Sequence, residues 1–86
     1  MPRHASSDAE RSFAQAMATL VKSRRLTLGW SQEGLARESG VSVANVRRFE
    51  SGNSPAASFV TIGRMARSLD LSLDELFAHF ALEAQR

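Results

Sequence analysis

The sequence predicts an all-α domain of five short helices, and three observations carry that prediction. Apolar residues recur at helical spacing, first at Phe13, Met17, Leu20 and Val21, and later at Phe59, Ile62, Met65, Ala66 and Leu69. A serine flanked by apolar residues in a fixed relation recurs at Ser31, Ser42 and Ser72, as a repeated helix-start signal. No segment alternates apolar and polar residues between turn signals, so no strand is expected.

The elements follow in chain order. Residues 1–11 hold Pro2, Ser6 and Ser7 with mixed charges and no periodicity, and read as a flexible arm. The first helix begins near Ser12, its stripe running through Arg24 to Leu28, and Gly29 ends it as a glycine C-cap. Ser31 caps helix 2, with Trp30 and Leu35 as a hydrophobic staple. Ser39-Gly40 closes helix 2, and Ser42 caps helix 3 between Val41 and Val46. Helix 4 starts near Ser58 after the turn Asn53-Ser54-Pro55. Ser72 caps helix 5, with Leu71 and Leu76 as staple and Glu75 completing a capping box. Gly34 and Gly63 lie inside helices, each costing up to roughly 1 kcal/mol relative to Ala. Tolerated surface glycine and close helix–helix approach both account for them.

Eighty-six residues make a single domain, divided as arm 1–11, domain 12–82 and tail 83–86. Without cysteine, neither a disulfide nor a thiolate metal site is expected. The apolar runs are too short for a membrane span and no signal peptide is evident, so a soluble cytoplasmic protein is expected. Net charge is only +2, but its distribution is uneven. Lys22, Arg24, Arg25, Arg37, Arg47 and Arg48 make the middle basic, and Asp70, Asp74, Glu75 and Glu83 make the end acidic. That pattern suits either a DNA binder whose C-terminal part faces away from the phosphates or ordinary solvated helix faces.

Helices 2 and 3, back to back from Trp30 to Gly52, have the grammar of a helix-turn-helix, whose second helix lies in the DNA major groove. On a helical wheel of helix 3, Val46 and Phe49 face the core. Ala44 and Arg48 point away, flanked by Val43 and Arg47 on one edge and Asn45 on the other. Arg can donate two bonds to guanine, Asn can pair bidentately with adenine, and small apolar groups can meet a thymine methyl. An exposed helix face is polar in any case, so the wheel alone leaves both readings open.

The residues R-x-x-x-G-W-S-Q-E-x-L-A from Arg25, S-G-V-S from Ser39, V-R-R-F-E-S-G from Val46 and S-L-D-E-L-F from Ser72 resemble the Cro/C1-type (Xre-type) helix-turn-helix family. The resemblance covers Phe13 to Phe80 and implies a compact five-helix, lambda-repressor-like DNA-binding domain. It implies base reading by Val43, Ala44, Asn45, Arg47 and Arg48. Phosphate binding would fall to Ser31, Gln32, Ser42 and Asn53. Arg25 and Glu50 would form a salt bridge orienting the reading helix.

The chain departs from the family pattern in three respects. Val43 and Ala44 carry no hydrogen-bonding groups, the linker Asn53–Ala57 lacks basic residues, and Asp70 stands where the family usually has Gly. Asp tolerates the left-handed backbone required there.

Proteins of this type usually pair to read two half-sites. Leu73, Phe77, Phe80 and Ala81, with Leu76, form an apolar stripe that suits a homodimer interface or simply closes the monomer core. The expected function is a sequence-specific, double-stranded-DNA-binding regulator, a repressor on a short palindromic operator. The competing reading is an antitoxin that sequesters a toxin partner while regulating its own operon. An enzyme is not expected: His4 and His79 lack catalytic or metal-ligand company, and no cofactor is implied.

Overall fold

The computed structural model describes residues 8–53, 57–72, 74–76 and 78. They form α1 (Asp8–Thr27), α2 (Gln32–Ser39), α3 (Val43–Glu50) and α4 (Phe59–Ser68). A last helical segment, α5, is present at 74–76 and 78. No strand occurs among the described residues, and the all-α class holds.

Helix α1 begins at Asp8, so the expected arm of 1–11 is too long by four residues. The apolar stripe that marks a helix interior is absent there, because the start is set electrostatically. Asp8 and Glu10 lie in the first turn, where carboxylates complement the helix dipole, and Asp8 pairs with Arg11 one turn on. At the other end Gly29 adopts φ 76°, and the Trp30 amide donates to the Arg25 carbonyl at 3.0 Å while the Gly29 amide donates to Leu26 at 3.0 Å. This paired closure is the Schellman geometry, and it leaves Leu28, expected on the core stripe, 45% exposed.

The serine signal is used four times. The hydroxyl oxygens of Ser31, Ser42, Ser58 and Ser72 accept from the amides of Gly34 (2.9 Å), Asn45 (3.2 Å), Thr61 (3.0 Å) and Glu75 (3.0 Å). Ser72 and Glu75 complete a reciprocal box, the Ser72 amide donating to Glu75 Oε1 at 2.9 Å. Each such cap contributes about 1 kcal/mol. The residues before and four after each cap are apolar and meet in one core: Trp30 and Leu35, Val41 and Val46, Ala57 and Ile62, Leu71 and Leu76. Met17 and Val21 of α1, Phe49 of α3, and Met65 and Leu69 complete it.

Asp70 is the one non-glycine residue with positive φ among those described, at 58°. Its turn closes α4 as Gly29 closes α1: the Leu71 amide reaches the Ala66 carbonyl at 2.8 Å, and the Asp70 amide reaches Arg67 at 3.2 Å. Arg24, which periodicity places on the apolar stripe of α1, serves this turn. Its Nη1 donates to the carbonyls of Leu69 (2.8 Å) and Asp70 (3.2 Å), and its Nη2 lies 3.5 Å from Glu75.

Neither interior glycine marks a helix–helix approach. A Cβ on Gly34 would come within 3.3 Å of its own cap, Ser31 Oγ, whereas one on Gly63 would meet nothing within 4 Å. The residues expected to pair two copies, Leu73, Phe77, Phe80 and Ala81, lie outside the described residues, as do 54–56 of the linker.

Candidate nucleic-acid interface

The junction of α2 and α3 is short because Gly40 takes φ 76° at the end of α2, leaving only Val41 and Ser42 before α3. Val46 and Phe49 are buried against Leu35 and α1, which fixes how α3 rolls. That roll leaves Ala44, Asn45, Arg47 and Arg48 exposed and Val43 half-buried, the arc the wheel indicates.

Beneath the arc sits a buried ionic clasp. Arg25 Nε donates to Glu50 Oε2 at 2.7 Å, and Arg25 Nη2 donates to Oε1 at 2.9 Å, with side chains only 7% and 2% exposed. Arg25 Nη1 also donates to the Trp30 carbonyl at 2.7 Å, and Gln32 Nε2 donates to Glu50 Oε1 at 3.1 Å. The Arg25–Glu50 pair therefore gathers the end of α1, the end of α3, the entry to α2 and the first residue of α2. A planar guanidinium suits this fork because it donates two parallel bonds in fixed geometry. Hydrogen bonding to Glu50 raises the Arg25 pKa above its ordinary value, with burial opposing and the charges of Glu50 and Glu33 reinforcing. The arginine's contribution is full below its unfolded pKa and is lost only as pH rises through the raised folded value. It thus adds no pH dependence near neutrality.

Of the residues expected to bind phosphate, Gln32 joins the clasp directly. Ser31 and Ser42 use their oxygens as cap acceptors, and each retains a hydroxyl proton to donate outward. The side chain of Gln32 is half engaged, its amide on Glu50. Asn53 is exposed, its backbone amide donating to Ser51 Oγ at 3.2 Å.

The two arginines of α3 differ. Arg47 Nη2 donates to Glu33 Oε2 of α2 at 2.8 Å, an ion pair sequence reasoning missed because its partners are fourteen residues apart. The Arg48 side chain has no hydrogen bond or ion pair among the described residues.

The basic run is not one basic surface. Arg25 is buried in the clasp, Arg24 is turned to the Asp70 turn, and Lys22, Arg37 and Arg48 remain exposed. Among the described residues no helix is long and apolar enough to cross a membrane, and no group of three or more acidic or histidine side chains could hold a metal ion.

A family model described as helix-turn-helix matches residues 21–76, from the last turns of α1 into α5. No curated protein matches the chain. The matched span contains the clasp, the two adjoining helices and the outward arc of α3, and the family is one of DNA-binding regulators rather than enzymes. The chain belongs to the Cro/C1-type helix-turn-helix family of DNA-binding transcriptional regulators.

Proposed function

We propose that the protein is a sequence-specific repressor that binds a short palindromic operator in duplex DNA as a homodimer. The observation that supports this most is the exposed outward arc of α3 on a helix whose end is held by the buried clasp. Asn45 and Arg48 are exposed one turn apart on a helix whose end is fixed at 2.7 Å to Arg25. A reading helix needs such rigidity, because base discrimination depends on placing a bidentate group to a fraction of an ångström.

In this reading Arg48 takes guanine and Asn45 adenine, each contributing roughly 1–3 kcal/mol of discrimination. Val43 and Ala44 meet thymine methyls, and part of the code is carried by DNA shape. Gln32, with Ser31 at the N-terminus of α2, holds one phosphate, while Ser42 and Asn53 hold others. Its amide already rests on Glu50, so Gln32 approaches the backbone preoriented. The repressor's two copies pair through the apolar stripe of Leu73, Phe77, Phe80 and Ala81, which aligns two half-sites about one helical turn apart.

Selection of bound duplexes from a random pool tests the whole reading. A palindromic consensus is expected. Arg48→Ala should relax preference at one base pair per half-site, and Gln32→Ala should weaken all sequences alike. A pool that enriches no sequence refutes sequence-specific binding, and an enriched but asymmetric site refutes the dimer.

A further inference from the structure

The ion pair between Glu33 and Arg47 does not fit the role of a stabilising contact. Its side chains are 60% and 55% exposed, and exposed pairs of this kind add little to stability. Its position is more telling. Glu33 follows Gln32 in the first turn of α2, and Arg47 lies in the last turn of α3, so the pair bridges the two helices of the DNA-binding motif. Two adjacent arginines thus enter the interface in different states, Arg48 unengaged and Arg47 held on a carboxylate at 2.8 Å.

We infer that Glu33 sets how tightly the protein holds any duplex, by keeping Arg47 from acting as a general phosphate clamp. The inference rests on the DNA-binding reading above and concerns how much sequence-independent affinity that surface carries. A free guanidinium on this edge adds one phosphate contact on any sequence, and such contacts supply affinity without information. The carboxylate withholds that contact by offering the guanidinium a partner within the protein. What remains for discrimination is Asn45 and Arg48, and the withheld contact lowers affinity for any duplex by the same factor.

The test is a salt titration of the full chain on two duplexes, the selected site and a scrambled sequence, with parent, Glu33→Gln, Arg47→Ala and the double variant. Glu33→Gln should bind both duplexes more tightly, each plot of log K against log salt steeper by about 0.9, the value for one added phosphate contact. That slope makes the tightening about eightfold greater at ~0.1 M salt than at ~1 M. In the Arg47→Ala background the same substitution should change nothing. The pair is exposed, so Glu33→Gln should melt with the parent, which separates the effect from misfolding.

An unchanged slope in Glu33→Gln, with the parent binding normally, overturns the inference alone. An equal slope change in both backgrounds also overturns it, because Glu33 would then act on the phosphates directly. A parent that binds neither duplex overturns the DNA-binding reading itself, and the inference with it.

Discussion

The buried clasp allows the sharpest test of how this domain is held. Glu50 accepts three N–H bonds, from Arg25 Nε, Arg25 Nη2 and Gln32 Nε2, at a side-chain exposure of 2%. Glu50→Met removes the acceptor while keeping much of its shape, and strands the Arg25 cation at 7% exposure. Removing one partner of a buried pair costs about 3–5 kcal/mol, since the remaining charge keeps its desolvation penalty. A small domain has about 5–15 kcal/mol in total, so this variant should sit near the edge of folding. Arg25→Met should cost as much for the mirror reason.

The double variant, Arg25→Met with Glu50→Met, leaves no buried charge, and exchanging a buried pair for apolar groups is often neutral. Here it still orphans the Gln32 amide and the Trp30 carbonyl, so recovery should fall about 1–2 kcal/mol short of the parent. Urea unfolding followed by circular dichroism, extrapolated to water, reads all four proteins. DNA affinity should not recover with stability, because Gln32 is no longer oriented. Single variants losing less than about 1 kcal/mol, or a double variant losing the sum of both, would refute the reasoning.

Three further outcomes follow from particular residues. Gly63→Ala should stabilise the fold by up to about 1 kcal/mol, raising the melting midpoint by about 4–8 °C, since the added Cβ meets nothing within 4 Å. At Asp70, with φ 58°, Asp70→Gly should be neutral or stabilising, whereas Asp70→Val should cost more than about 1 kcal/mol by the same melt. Ser42→Ala should cost about 1 kcal/mol in denaturant by freeing the Asn45 amide, and should also lower DNA affinity because the start of α3 frays.

Helix boundaries were readable from the chain wherever the signal is local. Ser31, Ser42 and Ser72 with their flanking apolar residues, Gly29 at its turn, and Asp70 in place of glycine each declare themselves within about five residues. The start of α1 escaped notice because it is set by Asp8 and Glu10, charges rather than apolar spacing. Leu28 was misplaced because periodicity continues past the point where Gly29 has already turned the chain. Arg24 fell on the apolar stripe because it does face inward, toward carbonyls forty-five and forty-six residues away that no local pattern reveals. The outward arc of α3 could be read from a wheel, since Val46 and Phe49 fix its roll. The pairing of Glu33 with Arg47 could not, as it depends on how two helices are set against each other.

The serine caps also bear on how fast the domain assembles. The starts of α2, α3, α4 and α5 are each specified by a hydroxyl and an amide three residues apart, closures that small segments complete on the microsecond scale without the rest of the chain. Helical domains built from such neighbours fold within microseconds to milliseconds. A newly made chain should therefore spend little time with its apolar staples uncovered, and the concentration of working regulator should follow synthesis and removal of the protein with no delay from folding.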